Sequence, residues 1–207
     1  GMYKKQIGVI VMSKICIFSA QFLPHMGGVE RYTYNLARYL TARGDQVTVI
    51  TSLSEGLSMY EKMDEIEVYR MPSWQLMDGR YPVLKPCKDL VKIHKRLKKK
   101  HFDLIYINTR FYPLSLYGTI FAGFVHKHCV MVEHGTSHLQ LGSCAGNLAV
   151  HIVEHVMTAL DRINCRNFYG VSEACGEWLK HFHIEAKGTF YNAVDLEKIE
   201  EIKSSPC

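Results

Sequence analysis

Polar side chains and glycines recur along this chain after short apolar runs. The clusters are Gly27-Gly28, Asn108-Thr109-Arg110, His134-Gly135-Thr136-Ser137, Ser172-Glu173 and Asn192-Ala193-Val194-Asp195. Glycine lets backbone N–H groups approach an anion closely, and a neutral imidazole donates one hydrogen bond and accepts another. These clusters are therefore the first candidates for a binding site, provided that the fold brings them together.

Gly27-Gly28 immediately precedes a predicted helix. The N-terminus of a helix carries unpaired N–H groups and the positive end of the helix dipole, which suits a phosphate. A tight turn without a ligand explains the same two glycines. The pair is not the G-x-G-x-x-G fingerprint of dinucleotide-binding proteins, which disfavours another Rossmann-type nucleotide enzyme.

His134 follows a buried apolar run, and Gly135 behind it permits a sharp turn that would aim the ring outwards. Two interpretations stand at this point. The imidazole either binds a ligand hydroxyl or is a buried structural group paired with a neighbouring carbonyl.

The segment His151-Ile152-Val153-Glu154-His155 matches the inverted zincin pattern H-x-x-E-H. Its two histidines lie four residues apart on one helix face, which suits zinc, but a third ligand would have to come from further along the chain. A solvated helix face is the favoured interpretation, and we predict no metal site. Four other histidines are expected at the surface: His126, His128, His181 and His183.

A basic run, Lys95–Lys100, ends a predicted amphipathic helix. Cations suit the C-terminal end of a helix dipole, so a solvated helix end is the favoured interpretation. Binding to anionic lipid is the alternative. The net charge of +5 favours anionic partners in general. No aromatic stacking platform accompanies the run, and nucleic acid is therefore not predicted as a partner.

The elements that must position these residues alternate between strand and helix. Strands are predicted at 15–19, 46–51, 66–71, 103–108, 129–133, 168–171 and 188–191, and helices at 29–43, 84–100, 114–125, 145–160 and 173–181. Residues 52–63 and 73–82 are predicted loops. This alternation predicts an α/β fold with a doubly wound parallel sheet in a single Rossmann-like domain. Ligands bind such a sheet beyond the carboxyl ends of its strands, where all the polar clusters would lie.

The composition fits one globular domain of 207 residues, with 47% hydrophobic and 22% charged residues. Its seven cysteines form no C-x-x-C pair, and we expect them to be reduced in a cytoplasmic protein. Residues 1–13 are interpreted as a tag scar at Gly1 followed by an N-terminal extension. No segment approaches the roughly 20 apolar residues of a membrane span.

Several segments, in this order, resemble the first half of family-4 glycosyltransferases. They are Phe22–Arg31 (FLPHMGGVER), Asn35-Leu36-Ala37, Leu40, Arg43–Val49 (RGDQVTV), Glu133-His134-Gly135, Val171-Ser172-Glu173 and Asn192-Ala193-Val194-Asp195. The family usually has N-G-V-D at the last place, so Ala193 departs from its pattern. The resemblance covers most of residues 14–195.

The resemblance implies the GT-B fold, in which two Rossmann-like domains face each other across a cleft. The N-terminal domain largely receives the acceptor, and the C-terminal domain binds the sugar nucleotide with an E-x7-E motif. Residues 14–195 would form the N-terminal domain. Residues 196–207 would begin the linker to a donor-binding domain that this sequence does not include.

The resemblance also implies roles for individual residues. His134 matches the histidine that contacts the transferred sugar, and Gly27 and Gly28 match the glycine loop that faces the donor diphosphate. Ser172 and Asn192 match cleft positions near donor and acceptor. The family retains the anomeric configuration, is usually metal-independent and has no generally agreed protein nucleophile. Catalysis would then depend on positioning and on stabilisation of leaving-group charge.

Arg110 and the loop 73–82, which carries Trp74, Arg80 and Tyr81, are predicted to contact the acceptor on position alone. The predicted function is transfer of a sugar from a nucleotide-diphosphate sugar to a glycan or lipid-linked glycan in cell-envelope polysaccharide synthesis. No cofactor other than the donor substrate is expected. The protein would be cytoplasmic, at the inner face of the membrane if Lys95–Lys100 binds lipid. The isolated domain is expected to be inactive. The alternative is a non-catalytic α/β module that binds an acceptor or a membrane surface.

Overall fold

The computed structural model describes residues 12–191, in which a seven-stranded sheet is the central element. The strands, including those of a separate hairpin, are β1 (Lys14–Phe18), β2 (Gln46–Ser52), β3 (Tyr60–Met63), β4 (Ile66–Met71), β5 (Ser73–Leu76), β6 (Tyr81–Leu84), β7 (Leu104–Asn108), β8 (Cys129–Glu133) and β9 (Phe168–Gly170). The sheet order is β3-β4-β2-β1-β7-β8-β9, and every neighbouring pair is parallel except β3 with β4. The predicted α/β, Rossmann-like fold is confirmed.

Five helices connect these strands in the described part of the chain. They are α1 (Gly28–Ala42), α2 (Lys88–Lys98), α3 (Pro113–Phe124), α4 (Cys144–Asn164) and α5 (Glu173–Lys180). Side chains alternate along β1, so that Phe18 packs with α2 and α3 on one face of the sheet and Ile17 packs with α1 on the other. Both faces are thus covered, as a mostly parallel sheet requires.

The predicted loops were wrong in two places. Residues 52–63 include the edge strand β3, which pairs antiparallel with β4. Residues 73–82 form most of the hairpin β5–β6, in which Ser73 pairs with Leu84 and Leu76 pairs with Tyr81. Because β6 takes residues 81–84, α2 begins at Lys88 rather than at residue 84. The predicted strand at 188–191 is reduced to one bridge between Gly170 and Thr189.

Helix α4 buries polar side chains and exposes apolar ones. Glu154, Thr158 and Asp161 are buried against the rest of the domain. The opposite face carries exposed apolar side chains: Leu148, Ile152, Val156, Leu160 and Ile163. The inner face is polar because it meets polar partners, including Thr119 of α3, whose hydroxyl lies 3.3 Å from an Asp161 oxygen. Among residues 12–191, no helix combines the length and apolar character needed to span a bilayer.

Candidate active site

His134 lies at the point where the chain leaves β8. The Glu133 carboxylate accepts hydrogen bonds from the backbone N–H groups of His134 and Gly135, at 3.0 and 2.7 Å. A Cβ atom at Gly135 would lie 3.1 Å from the same carboxylate oxygen, which is tight. The buried Glu133 side chain and the glycine together shape the turn that presents the imidazole at the carboxyl edge of the sheet.

The imidazole of His134 is held on one side by the end of β7. Its Nε2 atom lies 2.8 Å from Oδ1 of Asn108. The Asn108 amide donates to Thr33 Oγ1 at 2.9 Å, and Thr33 donates to the Val29 carbonyl at 2.7 Å. The ring of Tyr32 contacts the imidazole edge to face, with centroids 4.8 Å apart.

Burial lowers the pKa of His134 to about 4, so the ring is neutral at physiological pH. With Asn108 Oδ1 as acceptor, the ring proton is assigned to Nε2. Nδ1 is then the acceptor nitrogen, and among residues 12–191 no side chain or backbone N–H donates to it. His134 therefore presents a hydrogen-bond acceptor to a ligand.

His134 lines a cleft of about 370 Å³. The walls come from the ends of β1, β7 and β8, from the first turn of α1 and from the loop before α4. Lining residues include Ala20, Gln21, Val29, Glu30, Asn108, Phe111, Tyr112, Ser137, His138 and Gln140. A cleft of this kind, at the carboxyl edge of the strands, is where open α/β sheets bind ligands.

Gly27 and Gly28 form the start of α1, as predicted. Gly27 is the N-cap residue and has no side chain with which to cap the helix. The Glu30 carboxylate lies against the Gly27 backbone and would overlap a Cβ atom there. At Gly28 a Cβ atom would meet nothing within 4 Å. The space over Gly28 is therefore open, whereas Gly27 is covered by an acidic side chain.

Arg110 is predicted to contact the acceptor, but its guanidinium is buried and paired within the protein. Its Nε atom lies 2.9 Å from Oε2 of Glu133, and its Nη1 atom donates to Thr158 Oγ1 at 3.1 Å. Nη2 lies 3.5 Å from Oε2 of Glu154, and the guanidinium carbon is 3.6 Å from the Phe182 ring centroid. Burial still raises the pKa of Glu133, although Arg110 opposes this shift. Arg110 lines the cleft while its charge is used to hold the cleft wall.

The other predicted site residues are Ser172, Asn192 and those of the segment 73–82. The Ser172 hydroxyl caps α5 by accepting from the Cys175 N–H at 3.3 Å, and Ser172 is not among the lining residues of the cleft. Asn192 lies outside the described residues. In the β5–β6 hairpin, Tyr81 stacks on cleft residues Phe111 and Tyr112, at centroid distances of 5.5 and 5.7 Å.

A histidine cluster at the outer end of the cleft was missed by sequence reasoning. Nδ1 of His138 lies 2.8 Å from Oε2 of Glu154, and its Nε2 lies 3.0 Å from Nε2 of His181. His155 is 5.0 Å from His181 between ring centroids. Desolvation, helped by the neighbouring His138, lowers the pKa of both His155 and His181. The one sequence signal was the H-x-x-E-H segment, whose two histidines are His151 and His155, and of these only His155 belongs to the cluster.

The fold and the cleft together define a Rossmann-like domain that presents polar groups at the carboxyl edge of its sheet. Residues 26–198 match the family model described as Glycosyltransferase Family 4. The chain belongs to this family, and the resemblance found in its motifs is confirmed.

A curated relative agrees with this assignment. An uncharacterized glycosyltransferase of Methanocaldococcus jannaschii is 26% identical over 200 residues, which are 91% of this chain and 50% of that protein. The chain thus spans about half the length of this curated relative.

Solved structures share the fold at low sequence identity. Sucrose-phosphate synthase from Thermosynechococcus elongatus matches with a TM-score of 0.53 and 17% identity, over 85% of this chain and 47% of its own. A glycosyltransferase from Rickettsia africae gives 0.56 and 14%, over 94% and 47%. HepE from Anabaena, solved in complex with UDP, gives 0.53 and 18%, over 90% and 45%. The chain has the Rossmann-like fold of half a GT-B glycosyltransferase.

Proposed function

We propose that this chain is the acceptor-side domain of a retaining glycosyltransferase that uses a nucleotide-diphosphate sugar. The acceptor would be a glycan or a lipid-linked glycan in cell-envelope polysaccharide synthesis. The observation that carries the proposal is His134, a neutral imidazole fixed by Asn108, whose other nitrogen has no hydrogen-bond donor among residues 12–191. A sugar hydroxyl could donate a hydrogen bond to Nδ1, which is the acceptor nitrogen of the neutral ring.

The groups around His134 support binding of a sugar next to an anion. The N-terminus of α1, with open space over Gly28, offers backbone N–H groups and a positive dipole end to the donor diphosphate. The complex of the related HepE fold with UDP supports a nucleotide donor. Ser172 and Asn192 stay proposals as cleft residues on the family motif alone. The chemistry we propose needs no nucleophile from this chain, because positioning and charge stabilisation carry it.

The test uses the protein expressed from its complete gene. Nucleotide sugars are screened for transfer, and wild type is compared with His134→Ala in single-turnover rate and in thermal melting on one preparation. We expect a rate loss of about 100-fold or more in the folded protein, with a stability loss limited to the roughly 1–3 kcal/mol that the unpaired Asn108 Oδ1 atom would cost. A variant that is several kcal/mol less stable but transfers sugar at the wild-type rate would make His134 a structural residue and remove this proposal.

A second candidate function, binding to an anionic membrane surface, is favoured by a separate observation. The basic run Lys95–Lys100 comprises the last turn of α2 and the two residues after it, and its exposed cations are Lys95, Arg96, Lys98 and Lys99. Nζ of Lys98 lies 4.2 Å from the ring centroid of the exposed Phe124 on α3. Helix α4 packs beside α3 and exposes its apolar face. Basic and apolar groups side by side suit anionic lipid. Lys100 contributes less, because it pairs with Glu67. This surface would hold the enzyme at the cytoplasmic face of the membrane, near a lipid-linked acceptor.

A further inference from the structure

Three histidines from separate parts of the chain converge at the outer end of the cleft. His138 lies in the loop before α4, His155 on α4 and His181 directly after α5. One ligand nitrogen of each lies within 4.8 Å of the other two. We infer that His138, His155 and His181 form a binding site for a zinc ion, next to the cleft that His134 and His138 line.

A buried carboxylate sets His138 in the form that a metal requires. Glu154 is 1% exposed, and its Oε2 lies 2.8 Å from Nδ1 of His138. A neutral His138 donates its Nδ1 proton to this carboxylate, which leaves the Nε2 lone pair unprotonated. Zinc-bound histidines are generally oriented by such a carboxylate on the far nitrogen. The Leu139 N–H, which donates to the other Glu154 oxygen at 3.0 Å, fixes the carboxylate in turn.

The Nε2 lone pair of His138 is aimed at His181. The two Nε2 atoms lie 3.0 Å apart. Without a metal, one of them must carry a proton for the other to accept, whereas a cation between the rings pairs with both lone pairs. Tetrahedral zinc with Zn–N bonds of about 2.0–2.1 Å places its nitrogens roughly 3.4 Å apart. The three ligand nitrogens lie up to 4.8 Å apart, so the exposed His155 and His181 side chains would have to rotate towards the ion.

The proposed set differs from the H-x-x-E-H pattern of the sequence. The His151 ring stacks on the face of His138, with centroids 3.9 Å apart and planes 26° apart, and its Nε2 is buried. It therefore contacts the face of a ligand ring instead of meeting the other nitrogens. Of the residues in the H-x-x-E-H pattern, only His155 is a ligand in the proposed set. Glu154 orients His138 instead of binding the ion. The His181 ring stacks on the Trp178 ring, with centroids 4.9 Å apart and planes 4° apart.

The donor set selects the class of cation and leaves room for a ligand. Imidazole nitrogens suit zinc and neighbouring late transition metals, while magnesium and calcium prefer oxygen. Three protein ligands leave one tetrahedral position open. A water or an anionic oxygen of a molecule in the cleft would fill it, because His138 and Glu154 also line the cleft.

Zinc binding is measured without substrates, so the inference does not rest on the proposed transferase activity. The protein from its complete gene is purified without a histidine tag, stripped with chelator and titrated with zinc chloride against a chromophoric competitor. His155→Ala and His181→Ala change exposed side chains and should leave melting unchanged, while each weakens zinc binding roughly 100-fold or more. Removing a carboxylate that only orients a metal ligand typically lowers metal affinity by roughly 10–100-fold, so a larger loss indicates a direct ligand. His128→Ala, an exposed histidine before β8, is the matched control and should bind as wild type does.

Cobalt(II) gives an independent readout of the ligand set. Wild type loaded with cobalt should show the visible bands of a tetrahedral complex, and the double variant His155→Ala, His181→Ala should lose them. Equal zinc affinity in wild type and the double variant would overturn the site. If His151→Ala lost zinc binding while His181→Ala bound zinc as wild type does, the metal would belong to the H-x-x-E-H pattern on the helix. That result would likewise overturn the proposed set.

Discussion

The Nε2 atom of His134 lies 2.8 Å from the Oδ1 atom of Asn108, and this contact joins the carboxyl ends of the neighbouring strands β7 and β8. Asn108 is buried and is itself held by Thr33 of α1. The tautomer and the direction of the imidazole are therefore set by three elements of the scaffold.

Asn108→Ala should lower the single-turnover rate of sugar transfer by roughly 100-fold, because a loosely held imidazole misplaces the sugar it contacts. Stability should fall by about 1–3 kcal/mol from the unpaired partners. Asn167→Ala is the matched control. It removes another amide, which donates to the Cys129 carbonyl at 3.0 Å away from the cleft, and should cost stability but not rate. Equal rates in the two variants would contradict the positioning role of Asn108.

Gly28→Ala should fold at least as stably as wild type, because its Cβ atom meets open space and alanine favours a helix by up to about 1 kcal/mol. Transfer should nevertheless fall and the KM for the nucleotide sugar should rise, since the methyl group blocks approach of a phosphate to the backbone. Gly176→Ala in α5, where a Cβ atom makes an ordinary 3.5 Å contact, is the control. An unchanged KM at Gly28→Ala would reduce Gly27-Gly28 to turn geometry.

The stability that His134 contributes should depend on pH. Its pKa is about 4 when folded and about 6.5 when unfolded, so between these values only the unfolded chain binds the proton. Acidification across this window should lower the stability of wild type relative to His134→Gln by about 3 kcal/mol. Urea denaturation of both proteins from neutral pH to about pH 4 measures this difference. If the free energy of unfolding changed with pH in the same way for wild type and His134→Gln, the imidazole would not be shielded from water.

Asp161 should show the opposite dependence. Burial raises its pKa to about 7, against hydrogen bonds from the Phe111 backbone and Thr119 that lower it. Between about 3.8 and 7 only the folded chain binds the proton, so wild type should lose stability relative to Asp161→Asn by about 4 kcal/mol as pH rises through this range. Denaturation at several pH values tests this, with Asp89→Asn of α2, a partly exposed carboxylate, as control. A constant difference between wild type and Asp161→Asn would contradict it.

Reversing charge at the end of α2 should weaken binding to lipid. Lys95→Glu with Lys98→Glu should remove several kcal/mol of affinity for anionic vesicles, at about 1 kcal/mol for each basic residue near the surface plus new repulsion. Lys180→Glu with Lys187→Glu makes the same change in net charge elsewhere and is the control. Sedimentation with phosphatidylserine and phosphatidylcholine vesicles measures binding. Equal partition of wild type onto both would exclude this surface.

The alternating pattern of the sequence predicted the parallel strands because buried strands and amphipathic helices have different apolar spacing. The β5–β6 hairpin was missed although Asp78-Gly79 is a hairpin signal, and Gly79 has a φ of +82°. Its strands have only four residues each, and Pro82 within β6 disfavours a strand. Local pattern was therefore too weak to reveal this small sheet.

The candidate site residues whose position depends on a sequence motif could be located from the sequence. Those whose surroundings depend on tertiary contacts could not. His134 and the glycine pair lie at strand and helix ends, which sequence order alone locates. The burial of Arg110 depends on Glu154 and Phe182, which are 44 and more residues away. Likewise His138 and His181 meet across 43 residues, a distance over which spacing carries no information.

Glu154 contacts both Arg110, which holds the cleft wall, and His138, which faces the histidine cluster. A single carboxylate thus serves two sites, and its oxygens cannot adjust to one without altering the other. We therefore expect ligand affinities at the two places to be linked, and thermodynamics makes any such linkage equal in both directions. Consider a molecule that enters the cleft and draws Arg110 away from Glu154. It would change the affinity of His138, His155 and His181 for a cation by some factor, and the bound cation would change the affinity of the cleft for that molecule by the same factor.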